Sequence, residues 1–194
     1  FIYELFNGVT LTSKLEADGI FDEKVGSNII HQLLSVIKYL HSKNYTHKNL
    51  NLDNIMINEE NLIKIVDINS SQVLHKYKTN KCDIIGTPLF FSPELISSNK
   101  KYKKEHIYER ADIWACGVIS FILLTGELPF FDENGDVLVN SIIEGNYNKT
   151  VDEYMSLSEI AKDFISNLLD PNYNTRVSAD VAVNHDFLVK RYTT

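Results

Sequence analysis

Apolar residues recur at three- and four-residue steps over much of the chain. Between Ser27 and His41, the positions Ile30, Leu33, Leu34, Ile37 and Leu40 share one side of a 3.6-residue turn, so the spacing predicts a long amphipathic helix. The period then changes. Ile55 and Ile57 bracket Met56, Asn58-Glu59-Glu60-Asn61 supplies turn chemistry, and Leu62, Ile63, Ile65 and Val66 make a second apolar run; together they predict a β-hairpin. Residues 67–99 are mixed and polar and read as a loop. From Ala111 to Thr125 the chain is apolar nearly all round, which requires a helix buried on most of its sides. Gly126 stops that helix and Pro129 prevents its continuation. Ser156-Leu157-Ser158-Glu159 has the spacing of a capping box ahead of Ile160, Phe164, Ile165, Leu168 and Leu169; Asp170-Pro171 closes this helix, and a last short one is expected from Ser178. No repeat, low-complexity tract or linker intervenes. The pattern describes one domain, mainly α with a small β-hairpin.

Composition narrows the class. The 194 residues are 44% hydrophobic and 23% charged, which suits a packed globular domain rather than a disordered chain. Nineteen basic against 26 acidic side chains leave a net charge of −7, and the lysines are dispersed apart from Lys100, Lys101, Lys103 and Lys104. Such a surface is a poor match to a phosphate backbone, so nucleic acid is not an expected partner. The most apolar stretch, Val118 to Leu124, is far shorter than the ~20 residues that cross a bilayer, and no membrane span is expected. Phe1-Ile2-Tyr3-Glu4-Leu5 has neither a basic region nor a small-residue cleavage site, which argues against a signal peptide. That start, without Met and in strand-like character, suggests a chain cut from something longer. Cys82 and Cys116 have no partner at metal-ligand spacing, which disfavours a zinc site or disulfide framework and favours a reducing, cytoplasmic location.

The chemistry-bearing stretch is His47-Lys48-Asn49-Leu50-Asn51-Leu52-Asp53-Asn54, between the long helix and the hairpin, followed by Asp67-Ile68-Asn69 at the hairpin's end. In order and spacing these resemble the protein-kinase catalytic loop, His-Arg-Asp-Leu-x-x-x-Asn, and the metal-binding Asp-Phe-Gly. Gly86-Thr87-Pro88 and Ser92-Pro93-Glu94 resemble the end of a kinase activation segment, and Asp112-Ile113-Trp114-Ala115-Cys116-Gly117 resembles the buried central helix of the larger lobe. Leu123 to Phe130 and Ile142 to Tyr147 are similar to the calcium/calmodulin-dependent kinase group. With Ile63-Lys64-Ile65-Val66-Asp67, the nearest likeness is to calcium-dependent protein kinases. The resemblance implies a protein-kinase-like fold in which residues 1–194 form the large C-terminal lobe, starting at the hinge, with the N-lobe absent from this chain. Asp132-Glu133-Asn134-Gly135-Asp136 looks superficially calcium-binding, but its Gly is fourth rather than sixth, so a plain turn is expected.

The same resemblance assigns roles. Tyr3-Glu4-Leu5-Phe6 matches the hinge, implying that Glu4 and Phe6 meet adenine through their backbones, with Met56 beneath the base. Asn54 and Asp67 keep the two metal-ligating positions, so ATP and Mg2+ are the implied cofactors. Thr10 stands where an acidic ribose contact is usual. His47 is implied to be structural, Asp112 to receive backbone N–H groups of the catalytic loop, and Arg176 to pair with Glu94. The departures bear on catalysis. Asn49 replaces the catalytic Asp, and Asn51 replaces a Lys near the transferring phosphate; Asn69 replaces the metal loop's glycine. Lys48 replaces an Arg that grips an activation-segment phosphate bidentately, which a point-charge ammonium does less well. An amide is no base near neutral pH, and general-base help is worth roughly 10²–10⁴ in rate. The leading expectation is a pseudokinase with a regulatory or scaffolding role. The alternative is an active Ser/Thr kinase with an atypical loop, its Asp53 and Glu133 reading basic residues of a peptide substrate. A third possibility is a protein-interaction module that binds no nucleotide. Each reading has a protein partner or peptide substrate.

Overall fold

The computed structural model describes residues 5–67, 88–97 and 106–190. Two long helices carry the core. Helix α2, Glu23–Ser42, starts earlier than the apolar spacing suggests because Asp22 caps it, its carboxylate accepting from the Val25 N–H at 2.8 Å. Its Ile29, Ile30, Leu33, Leu34 and Ile37 are buried. Helix α4, Ile107–Thr125, is buried at every residue from Ala111 onward, as its all-round apolarity requires. Gly126 ends it in the left-handed conformation, φ 75°, and donates to the Ile122 carbonyl at 2.8 Å. Helix α7, Glu159–Leu168, packs so close to α4 that a Cβ on Gly117 would stand 2.8 Å from Leu169 and 2.9 Å from Leu168.

The hairpin forms as expected from β2, Ile55–Ile57, and β3, Ile63–Ile65, but it gains a third strand. β1, Val9–Thr10, pairs antiparallel with β2, giving the order β1-β2-β3. Two residues is too short for a period to show in sequence. Gln32 of α2 pins the hairpin: its Oε1 accepts from the Ile63 N–H at 3.1 Å and its Nε2 donates to the Asn61 carbonyl at 2.9 Å. Helix α1, Leu11–Asp18, follows β1 directly, capped by Thr10. The polar loop after the hairpin contains a 3-10 turn, Pro88–Phe90, and a short helix α3, Pro93–Ile96. The chain finishes with α5, Gly135–Glu144, α6, Asp152–Ser156, α7, α8, Ala179–Ala182, and α9, Asp186–Val189.

Two local expectations change. The acidic turn at 132–136 starts a helix: Asn134 caps α5, accepting from the Asp136 N–H at 3.0 Å, while Asp132 accepts from the Asn134 N–H. At α7 the cap is Ser158, not Ser156. Ser158 Oγ accepts from the Ala161 N–H at 3.3 Å, so Glu159 is the first helical residue, and Ser156 closes α6 by donating to the Glu153 carbonyl. Ser158 also reaches across the fold, its N–H and hydroxyl donating to the two Glu23 oxygens at 2.8 and 2.7 Å. Ser158→Ala is therefore expected to cost about 1–2 kcal/mol in urea unfolding, more than a surface cap alone, because Glu23 loses a partner too.

A buried ion pair joins α3 to the core. Arg176 Nη1 and Nη2 meet Glu94 Oε1 and Oε2 at 2.7 and 2.9 Å, with both side chains almost completely buried. The guanidinium lies 4.9 Å from the Trp114 ring, and its Nε donates to the Asp170 carbonyl at 2.8 Å. Among the described residues no helix is long and apolar enough to cross a membrane.

Candidate active site

Helix α4 positions the loop that precedes the hairpin. Asp112, buried on that helix, accepts the His47 N–H at 2.9 Å and the Lys48 N–H at 2.8 Å. His41, near the end of α2, meets the same carboxylate at 3.0 Å. His47 is fully buried; its Nε2 contacts the Val66 carbonyl at 3.1 Å, joining the loop to the end of β3. These bonds hold the loop in a shape that includes a left-handed residue, Lys48, at φ 67°. The Lys48 ammonium sits 4.6 Å from the ring centre of Tyr108, one helical turn before Asp112.

Three asparagines organise the rest of the loop. Asn51 caps the 3-10 turn Leu52–Asn54, its Oδ1 accepting from the Asp53 and Asn54 N–H groups at 3.0 Å each. Its amide donates to the Asn49 carbonyl at 3.4 Å, and Asn54 donates to the same carbonyl at 2.9 Å. The Val66 N–H donates to the Asn54 carbonyl at 2.9 Å, so the sheet ladder runs on to set Asn54 and Asp67 at one end of β2 and β3. Asp67 is left-handed, φ 61°, a conformation that Asp tolerates better than most residues. Asn49 Nδ2 lies 3.5 Å from Asp67 Oδ2. Asn49, Asn51, Asn54 and Asp67 thus come together, although 18 residues separate Asn49 from Asp67.

This donor set fits a hard cation in one respect. The bond from Asn54 Nδ2 turns its amide oxygen the other way, and that oxygen with the Asp67 carboxylate is the kind of pair Mg2+ takes when nucleotide phosphates complete its shell. No group of three or more His, Cys, Asp or Glu is arranged to hold a metal alone among the described residues.

Of the segment 3–6 that the sequence likens to a hinge, only Leu5 and Phe6 are among the described residues. Glu4, with Asn69, Thr87, Cys82 and the lysines at 100–104, lies outside the described residues. Phe6 and Met56 are half-buried. Gly8 lets this segment press on the sheet: a Cβ there would stand 2.5 Å from the Ile57 carbonyl oxygen and 2.7 Å from the Phe6 ring. The Thr10 hydroxyl is engaged with Ser13, as cap and as donor. Thr12 donates to Asp53 at 2.6 Å, tying α1 to the loop; nothing in the sequence pointed to Thr12, 41 residues away. Burial pushes the Cys116 thiol well up, and Asp112 adds to this, so it stays protonated and inert.

A helical domain whose central buried helix hangs a polar loop beside Asp67, with a buried Arg–Glu pair anchoring the next segment, has the construction of a protein kinase domain. Residues 1–188 match the protein kinase domain family, and the chain belongs to that family. It is 35% identical over 193 residues to serine/threonine-protein kinase H2 of Homo sapiens, covering 97% of this chain and 48% of that protein. It is 30% identical over 190 residues to calcium-dependent protein kinase 25 of Arabidopsis thaliana, covering 96% of this chain and 35% of that protein. A crystal structure of Rad53 1-466 in complex with AMP-PNP superposes with a TM-score of 0.80 at 31% identity, over 96% of this chain and 46% of that one. The chain therefore spans less than half the length of these relatives.

Proposed function

We propose that this chain is the C-terminal lobe of a pseudokinase, a domain that holds a nucleotide through Asp67, Asn54 and the Phe6–Met56 side but lacks efficient phosphoryl transfer. The observation that carries the reading is Asn49. Its side-chain amide approaches Asp67 as a donor, in the loop position where transfer requires a carboxylate to take the hydroxyl proton. Asn51 adds no cation near the phosphate; its oxygen is spent capping the 3-10 turn. Both changes remove transition-state stabilisation and leave oxygen donors for binding. Mg2+, when bound, would neutralise phosphate charge. Asp67 and Asn54 would hold it, and Met56 would lie beneath the base. AMP-PNP in the related Rad53 structure supports nucleotide as the ligand. The likeness to a calcium-dependent kinase supports a place in intracellular signalling, with a protein as partner.

The test is thermal melting of the full-length protein with ATP and Mg2+. A nucleotide at 100 times its Kd stabilises by about 2.7 kcal/mol. A clear rise in Tm is expected for the wild type, with most of it lost in Asp67→Ala. A radiolabel assay should show no transfer near the ~1–100 s⁻¹ of kinases. Turnover in that range, abolished by Asp67→Ala, would instead establish an active Ser/Thr kinase that transfers the γ-phosphate through an atypical loop. No melting shift at all would leave a pure interaction module.

A further inference from the structure

Helix α7 presents a face that the candidate active site does not use. Glu159, Lys162, Asp163 and Ser166 recur at three- and four-residue steps, so they stand on one side of it. Together with Tyr147, which follows α5, and Tyr154 of α6, they line a groove of about 620 Å³. That volume falls within the ~300–1,000 Å³ of ordinary ligand sites. The tyrosine rings are fixed from beneath. Tyr154 stacks on Phe121 of α4 at 5.5 Å, and Tyr147 meets the Tyr154 and Phe121 rings edge-on at 5.8 and 5.9 Å.

The groove's interior holds hydrogen-bond donors in surplus. The two tyrosine hydroxyls are 3.2 Å apart, and the bond between them uses one of their two protons, which leaves the other without an acceptor among the described residues. Burial, and the bond to Tyr154, push the Tyr147 hydroxyl well up, so its proton stays in place. Lys162 donates to the Met155 carbonyl at 3.0 Å and to Glu159 at 2.9 Å, engaging two of its three ammonium protons. Its side chain is 23% exposed, whereas that of Glu159 is 91% exposed. The ammonium therefore lies in the groove while the carboxylate stands out in solvent. Asp163 is largely exposed as well and is paired with His185 at 3.0 Å. At the rim, the Lys149 ammonium sits 4.7 Å from the centre of the Tyr147 ring. Two carboxylates at the edge disfavour a dianion inside. A single carboxylate, by contrast, has one oxygen for the remaining Lys162 proton and one for the remaining tyrosine proton.

We propose that this groove docks an acidic peptide segment of the protein partner: a Glu or Asp side chain accepts from Lys162 and from the Tyr147–Tyr154 pair, and an apolar neighbour lies on the exposed Met155. This rests on the partner half of the reading above and not on the nucleotide half, since no residue of the groove belongs to the nucleotide site. Surface plasmon resonance of the full-length protein over the peptide Gly-Leu-Glu-Leu-Gly, blocked at both ends and held by a neutral linker, tests it. Binding is expected, and Gln in place of the peptide's Glu should weaken it about tenfold. Lys162→Met should weaken it by about the same factor, the size of a charge-assisted hydrogen bond, and Tyr147→Phe with Tyr154→Phe by about fivefold, the size of a neutral one. Lys162→Arg should recover most of the loss. The double phenylalanine variant removes both hydroxyls and keeps both rings, so ligand-free melting should change little. A wild type that does not bind, or that binds the Glu and Gln peptides equally, would overturn the proposal. A loss confined to Lys162→Met would overturn the paired-donor site, and tighter binding of a phosphoserine peptide would overturn the choice of a carboxylate. An absent peptide response beside an intact ATP melting shift places the failure in this groove; an absent ATP shift beside a normal peptide response places it in the nucleotide reading.

Discussion

Asn49→Asp is expected to raise phosphate transfer by about 10²–10⁴ over the parent, measured with radiolabelled ATP on the full-length protein. The carboxylate would stand where the Asn49 amide now does, on a loop already held by Asp112 through the His47 and Lys48 N–H groups, so no new backbone shape is needed. Its charge has a second effect. The Asn49 amide now donates toward Asp67 at 3.5 Å; a carboxylate there would face another carboxylate, and like charges at that range raise the proton affinity of one of them. The gain should therefore depend on Mg2+ more steeply than nucleotide binding by the parent does. The double variant Asn49→Asp, Asn51→Lys should gain further, since the lysine supplies a cation for the transferring phosphate, although it also removes the cap on the 3-10 turn. A parent already active, with no gain from Asn49→Asp, would sink the pseudokinase reading.

Arg176→Met is expected to destabilise the protein by roughly 3–5 kcal/mol in urea unfolding. The cost comes less from the lost attraction than from what remains, a Glu94 carboxylate with 1% of its side chain exposed that keeps only the weaker, non-bonded attraction of Arg110. The Asp170 and Arg110 carbonyls lose their donors as well. Replacing both partners, Glu94→Leu with Arg176→Met, should recover much of the loss, because no charge is left buried. If the double variant is as unstable as the single one, the carbonyl contacts and the Trp114 stack dominate instead. Either result bears on the loop as well as the core, since the Arg176 Nη1 bond to the Arg110 carbonyl falls on α4, two residues before Asp112.

How much of this was legible in the sequence varies with distance along the chain. The period of α2, the all-round apolarity of α4 and the alternation in the hairpin are local, and each appears in the structure. The capping box at Ser156 was a near miss of the same local kind: Ser156 has Glu159 three residues on, whereas Ser158, two residues later, has Ala161 there and caps without the reciprocal glutamate. Ser158 has the Glu23 carboxylate against it from α2, and it is the one that caps α7. β1 left no periodic signal because it is two residues long. The bond between Thr12 and Asp53 left none because a hydroxyl and a carboxylate 41 residues apart have no pattern to share.

The sequence by itself determined α2, α4, the hairpin, the helix over 159–168 and the order of the kinase-like motifs, Asn49 among them, since these depend on side-chain type and spacing along one chain. Only the tertiary structure decided which groups meet. The Asp112 carboxylate shapes the loop, Asn49 comes within reach of Asp67, and Met56 and Lys64 share one face of the sheet. The physical reason is that hydrogen bonds, ion pairs and strand register act through a few ångströms of space. Residues distant in sequence acquire those partners only when packing of α2, α4 and the sheet brings them together.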